Sequence, residues 1–269
     1  MGRISAGVRG ILVEGNEKVV GMAIVNTDGD EIVIVTDKGY GKRTNVDAFR
    51  VQVRGGKGVK ALNLTAKNGT MVSLLTVRGD EDLMIVTDKG MIIRTHLDQI
   101  LTIGRDTQGV KAMDLADDDC LIAVSVVKAG CDVLTITSNG YGKRTSVEDF
   151  KVKGRNGKGV KFMNLTEKNG IPVCLKTVTG EDDLMIITDK GMIVRTHLDQ
   201  ISTIGRDTQG VRIISLNDGQ NVASIAIVPR SDDEDESEVF NNEDDGYLEN
   251  HGPEISDLPD EAQELVEEE

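Results

Sequence analysis

The chain has 269 residues, 38% of them hydrophobic and 29% charged, with 30 Gly, 4 Pro and no Trp. No apolar run approaches the length of about eighteen residues that a membrane-spanning helix needs, and Met1-Gly2-Arg3-Ile4-Ser5 lacks the apolar stretch of a secretory signal. Cys120, Cys131 and Cys174 are odd in number and show no CxxC spacing, which argues against a disulfide framework or zinc site and fits a reducing cytoplasm.

The net charge of −15 points away from nucleic acid only until the chain is divided. Residues 231–269 contain 18 Asp and Glu with no Lys or Arg, so residues 1–230 carry a net +3. The reading is a basic body over 1–230 and a disordered acidic tail over 231–269, whose few large apolar residues do not offset the entropy of ordering it. A frayed helix is expected near 260–266.

In chain order, the first predicted strand is Met22–Val25. A β-branched run at Ile32–Thr36 follows, with a turn at Asp37-Lys38-Gly39 and a second strand at Tyr40–Thr44. Asp opening a turn and Gly closing it suit a short hairpin with a left-handed glycine. Leu74–Val77, Val124–Val127 and Ala223–Val228 add one strand per unit. The hairpin returns at Gly90, Gly140 and Gly191, at intervals of 51, 50 and 51. A second marker, Gly-Val followed by a basic residue, starts at Gly7, Gly58, Gly109, Gly159 and Gly210, at intervals of 51, 51, 50 and 51. Two markers with one period predict an all-β, propeller-like radial array, each unit supplying one sheet or blade. Units also alternate: those at Gly39 and Gly140 share Tyr-Gly-Lys-Arg-Thr, those at Gly90 and Gly191 share Arg-Thr-His-Leu-Asp-Gln-Ile. Met1-Gly2-Arg3 aligns with Ile103-Gly104-Arg105, in the middle of a unit, so the first unit is expected to lack its hairpin and the chain to be the C-terminal part of a longer polypeptide.

The phase of the basic residues is the candidate functional signal. Arg43, Arg94, Arg144 and Arg195 each stand four residues after a hairpin glycine. Arg54, Arg105, Arg155 and Arg206 precede the Gly-Val pairs, and Lys60, Lys111, Lys161 and Arg212 follow them. Lys42 and Lys143 lie on the hairpins; Lys57 and Lys158 lie in glycine-rich loops, Arg54-Gly55-Gly56-Lys57-Gly58 and Arg155-Asn-Gly-Lys-Gly159. In a radial array, equal phase implies equal height and radius, hence a basic rim suited to duplex DNA, with loop glycines letting backbone N–H groups approach phosphate. The plainer alternative is that duplication copied a solvated surface.

Other chemistries find little support. None of the Gly-Lys pairs is followed by Ser or Thr, so no P-loop is present. His96 and His197 share one repeat position and read as strand or loop residues rather than metal ligands. With 4 Phe and 3 Tyr there is no aromatic platform for single-stranded bases, and Tyr40 and Tyr141 read as packing residues. No catalytic constellation and no metal site are expected.

Gly-Tyr-Gly-Lys-Arg-Thr, the Gly-Arg-Asp-Thr-Gln-Gly-Val loops and the acidic tail resemble the C-terminal domain of DNA gyrase A, of the type IIA topoisomerases, over about residues 1–230. The resemblance implies a β-pinwheel whose basic rim wraps duplex DNA and presents a positive crossover, so that ATP-driven strand passage introduces negative supercoils. It implies as partners the rest of gyrase A, and gyrase B, in the bacterial cytoplasm, associated with the nucleoid. ATP and Mg²⁺ would be used by other parts of that complex, where the family's catalytic tyrosine also lies. The family's hallmark loop is Gln-Arg-Arg-Gly-Gly-Lys-Gly; Gln52-Val-Arg-Gly-Gly-Lys-Gly58 matches six of its seven positions, with Val53 in place of the first Arg. The rivals are the equivalent domain of topoisomerase IV and, from another class, a protein-binding propeller of the kelch kind, against which the phased Arg and Lys and the missing Trp argue.

Overall fold

The structure, a computed structural model, describes residues 6–25 and 30–230, which belong to one compact unit. The expected acidic tail at 231–269, and the helix near 260–266, lie outside the described residues.

Four antiparallel sheets follow one another along the chain. The first orders its strands β3 (Met71–Val77), β1 (Glu31–Thr36), β2 (Tyr40–Asn45), β6 (Val110–Lys111). The second orders β7 (Leu121–Val127), β4 (Asp82–Thr87), β5 (Met91–His96), β10 (Val160–Lys161), and the third β11 (Pro172–Val178), β8 (Asp132–Thr137), β9 (Tyr141–Ser146), β14 (Val211–Arg212). The fourth has three strands, β15 (Val222–Val228), β12 (Asp183–Thr188) and β13 (Ile193–His197). The seven-residue strands β3, β7, β11 and β15 line a common cavity of about 900 Å³, so the two-residue strands lie at the far, outer edge of the first three sheets. The array is propeller-like, as the period requires.

The β-branched hairpin strands read as unbroken apolar runs because both their faces are covered. Val33 and Val35 pack against Leu83, Ile85 and Ile93 of the second sheet; Met84, Val86 and Ile92 pack against Val133 and Phe150 of the third; Leu134 and Ile136 pack against Leu184 and Ile186 of the fourth. Each hairpin turns at a left-handed glycine, and at Gly39 (φ 78°) a Cβ would lie 2.5 Å from the Met113 carbonyl.

Two expectations are corrected. A unit does not build a sheet of its own: β6, from the second unit, pairs Lys111 with Tyr40 and Val110 with Gly41 of the first. Residues 22–25 carry no strand, because the hairpin strand that the equivalent β3 pairs with has no counterpart beside them among the described residues.

Candidate nucleic-acid interface

After each hairpin the chain makes one turn of 3₁₀-helix and then crosses to the preceding sheet. Residues 100–114, 150–164 and 201–215 are three such crossings, and 49–63 has the same sequence position in the first unit. Each begins by running beside the neighbour's second hairpin strand: Arg43 N–H donates to Leu101 O and Ile103 N–H to Arg43 O, both at 2.9 Å. It ends in the outer strand, where glycine is required by close approach. A Cβ on Gly109 would lie 2.7 Å from Gly41 O, and one on Gly159 would collide with Ile92 O. The Gly-Val-basic marker is thus the point where a crossing grips the neighbouring hairpin, and Lys111, Lys161 and Arg212 are carried on the outermost strand.

The candidate residues separate into three groups. Arg54, Lys57, Lys60, Arg155, Lys158, Lys161 and Arg212 are exposed; Arg105, Lys111 and Arg206 are half-buried, and Gly55, Gly56 and Gly58 sit in the first exposed loop. All of these share the crossings.

Arg43, Arg94 and Arg144 sit elsewhere, at the junctions between units, and Arg195 has the equivalent place on the last hairpin. Arg43 Nη1 meets Glu31 at 2.9 Å, Arg94 Nε meets Asp82 at 2.8 Å and Arg195 Nε meets Asp183 at 2.7 Å, each acid being at the start of the same hairpin. Arg43 and Arg144 also donate through Nε to Ile100 O and Ile201 O, at the end of the next unit's 3₁₀ turn. The charge of the half-buried Arg43, Arg94 and Arg144 is taken up by the fold, which corrects their placement on the rim, whereas Arg195 is paired with Asp183 and exposed.

Lys42 and Lys143 are corrected more sharply, being 0% and 1% exposed. Lys42 Nζ donates to Gly104 O at 2.8 Å, Arg105 O at 2.6 Å and Thr107 Oγ1 at 3.4 Å. Lys143 repeats the set on Gly205 O, Arg206 O and Thr208 Oγ1. A buried ammonium persists when its donors all find acceptors. Burial pulls both lysines down to about 8; the nearby Asp106 and Asp207 oppose this, and Arg105 and Arg206 add to it.

The buried lysines account for the alternation of units. Ile93 stands where Lys42 and Lys143 stand, and Gly157 stands where Thr107 and Thr208 stand. A Cβ on Gly157 would already lie 3.1 Å from Ile93 Cδ1, so an apolar seat takes a glycine and a lysine seat takes a threonine. The lysine-seated loops are held from the side as well. Asn68 and Asn169, both fully buried, donate to Gln108 O and Gln209 O at 3.1 Å. No motif reading singled out these asparagines; their signal is the repeated Thr-x-Lys-Asn-Gly at 65–69 and 166–170, in which x is Ala66 with Lys67 and Glu167 with Lys168.

Tyr141 belongs to the rim. Arg212 donates to its hydroxyl at 3.3 Å and lies over its ring, as does Lys168, and the Arg212 hydrogen bond draws the phenol below its ordinary value. Lys67 lies over Tyr40 in the same way. Among the described residues no group of three or more His, Cys, Asp or Glu is placed to hold a metal ion, and no helix is long and apolar enough to cross a membrane.

A propeller-like array of interlocked antiparallel sheets, its crossings carrying exposed arginine and lysine, defines a class of β-propeller repeat domain. The chain belongs to the DNA gyrase C-terminal domain, β-propeller family, whose model matches residues 1–26, 30–78, 81–128, 132–171 and 182–229. It is 46% identical over 118 residues to the DNA gyrase A protein of Staphylococcus epidermidis, covering 44% of this chain and 13% of that protein. It is 44% identical over 126 residues to the DNA gyrase A protein of Staphylococcus aureus, covering 46% of this chain and 14% of that protein. The matched segment is thus a small part of these relatives' length. The fold is shared with a solved DNA gyrase A C-terminal domain, at a TM-score of 0.70 and 24% identity over 75% of this chain and 67% of the other. It is also shared with the C-terminal domain of DNA topoisomerase IV, at a TM-score of 0.68 and 19% identity over 76% and 64%.

Proposed function

We propose that this chain binds duplex DNA without sequence preference and bends it around its outer edge, as the DNA-wrapping part of a gyrase A protein. The observation that carries the reading is the position of the Gly-Val-basic strands: outermost in their sheets, at equal phase, with arginine and lysine on the loops that lead to them. In that role the chain is non-catalytic and a bacterial, cytoplasmic, nucleoid-associated one. The rest of gyrase A, together with gyrase B, would cleave DNA and consume ATP with Mg²⁺, and the bound wrap would set the sign of strand passage. The domain of topoisomerase IV is the second reading, favoured by its nearly equal TM-score.

The test is duplex binding by the full chain as a function of salt. With about eight phosphates neutralised, affinity falls roughly 10³–10⁵-fold between about 50 and 200 mM salt. Ligation of nicked circles in the presence of the chain then reads wrapping as a shift in linking number. Salt-independent binding refutes the rim; salt-dependent binding with no linking-number shift refutes wrapping.

A further inference from the structure

The charge of the rim alternates. The crossings 49–63, 100–114, 150–164 and 201–215 carry net charges of +4, 0, +5 and +1. Three substitutions at equivalent positions produce most of this. Lys57 and Lys158 stand where the other two crossings have Gln108 and Gln209. Gly55 and Asn156, both left-handed with φ 76° and 62°, stand where the others have Asp106 and Asp207. The third concerns the basic residue after each Gly-Val: Lys111 Nζ is held by the Asp114 carboxylate at 2.5 Å, whereas Lys60 and Lys161 meet the neutral amides of Asn63 at 2.9 Å and Asn164 at 3.2 Å.

The two kinds of crossing are also fastened differently. At 100–114 and 201–215 a buried lysine and a buried asparagine hold the loop from inside, so one cation per loop is committed to structure. At 150–164 the fastening is main-chain, with Asn156 N–H donating to Ala112 O at 2.7 Å and Asp114 N–H to Gly157 O at 3.0 Å. Lys151, Arg155 and Lys158 remain exposed on that loop. The nearest opposing charges are modest. Lys57 lies 2.8 Å from Glu14, but both side chains are well exposed and the pair is screened by solvent. Asp114, which Lys111 already neutralises, feels Lys158 only weakly.

We propose that a DNA duplex is gripped at every second crossing, its phosphates neutralised by 49–63 and 150–164, while it passes over 100–114 and 201–215 with little electrostatic hold. The proposal rests on the duplex-binding reading above and adds where on the rim that binding resides. Phosphate contacts position a duplex in proportion to the cations that reach them, so a rim with alternating charge makes alternating contacts.

Three four-residue variants of the full chain separate the possibilities. Arg50, Arg54, Lys57 and Lys60 are replaced by Gln in the first, and Lys151, Arg155, Lys158 and Lys161 in the second. Arg105, Lys111, Arg206 and Arg212 are replaced in the third. Each of the first two should flatten the slope of log affinity against log salt by about 3–4, and the third by less than about 1. Equal flattening by all three overturns the alternation and leaves duplex binding standing; a wild-type chain without salt-dependent binding overturns both. Because Arg105 donates to Lys60 O and Arg212 to Tyr141 Oη, a second measurement avoids substitution altogether. Lysine acetylation of the wild-type chain, read by mass spectrometry, should be blocked by duplex at Lys57, Lys151 and Lys158 and unchanged at Lys111. Equal protection at Lys111 overturns the proposal.

Discussion

Exchanging one seat for the other tests the pairing between Lys42 and the loop above it. Lys42→Ile removes the donor that Gly104 O and Arg105 O accept from, at 2.8 and 2.6 Å. An orphaned buried carbonyl costs about 1–3 kcal/mol, part of which is returned when the buried ammonium is removed, so the single variant should lose roughly 1–3 kcal/mol. Converting the loop alone, by Asp106→Asn, Thr107→Gly and Gln108→Lys, takes Thr107 Oγ1 from the ammonium and installs a left-handed turn over the wrong seat; a loss of about 1–2 kcal/mol is expected. Together the changes reproduce the pair found at Ile93 and Gly157, and the combined variant should recover at least about 1 kcal/mol relative to the sum of the two. Urea unfolding of the full chain at pH 7, followed by far-UV circular dichroism, measures all four stabilities. Additive losses would refute the idea that seat and loop are matched.

Three further outcomes are expected. Lys42 and Lys143 have folded values of about 8 against 10.5, so the unfolded chain binds more protons above pH 8 and stability should rise with pH there. Burial raises Cys174 from 9.0 to about 11, an opposing effect above pH 9, so the clean window is pH 8–9; the rise, at most about 1.4 kcal/mol per lysine per pH unit, should vanish in the Lys42→Met, Lys143→Met double variant. Gly39→Ala should destabilise more than Gly191→Ala in thermal melts: both force alanine to φ 78°, at about 1 kcal/mol or more, but only the first drives a Cβ against Met113 O, Gly191 having nothing within 4 Å. Deleting 231–269 removes a charge of −18 from a chain whose remainder is +3, so duplex binding should tighten at low salt and change less at high salt, as measured by fluorescence anisotropy. Equal affinities at low salt would make the acidic segment a bystander.

The period, the hairpins and their left-handed glycines were legible because each is a local device: a β-branched run, an Asp opening a turn, a Gly ending it. The outer strands were not. Val110 and Lys111 are two residues long and pair with Gly41 and Tyr40, about seventy positions earlier, and nothing local says which sheet a two-residue strand joins. The candidate site was half legible. Phase located the loops that carry Arg54, Lys57, Arg155 and Lys158, but it placed Lys42 at the rim on the general habit of lysines to face water. Repeat comparison held the contrary signal, since Ile93 and Val194 occupy the same position as Lys42 and Lys143, and a position that accepts either isoleucine or lysine lies inside. The double period has the same origin. A seat belongs to one unit and its loop to the next, so only a copied pair keeps every seat under a loop that fits it.

Because the edge of each of the first three sheets is closed by the following unit, the order of synthesis matters. The first hairpin is complete once residue 45 has left the ribosome, and its inner strand once residue 77 has, yet the outer edge at Tyr40 and Gly41 waits for residue 111. Until then a bare strand edge is available to any other chain. The fourth sheet, which has no fourth strand among the described residues, shows what that state looks like: Ile193 is 56% exposed where its counterpart Ile92 is 0%. Nascent chains stalled between one hairpin and its closing strand should therefore be the ones that associate wrongly, and a stall fifty residues later would expose the next edge in turn.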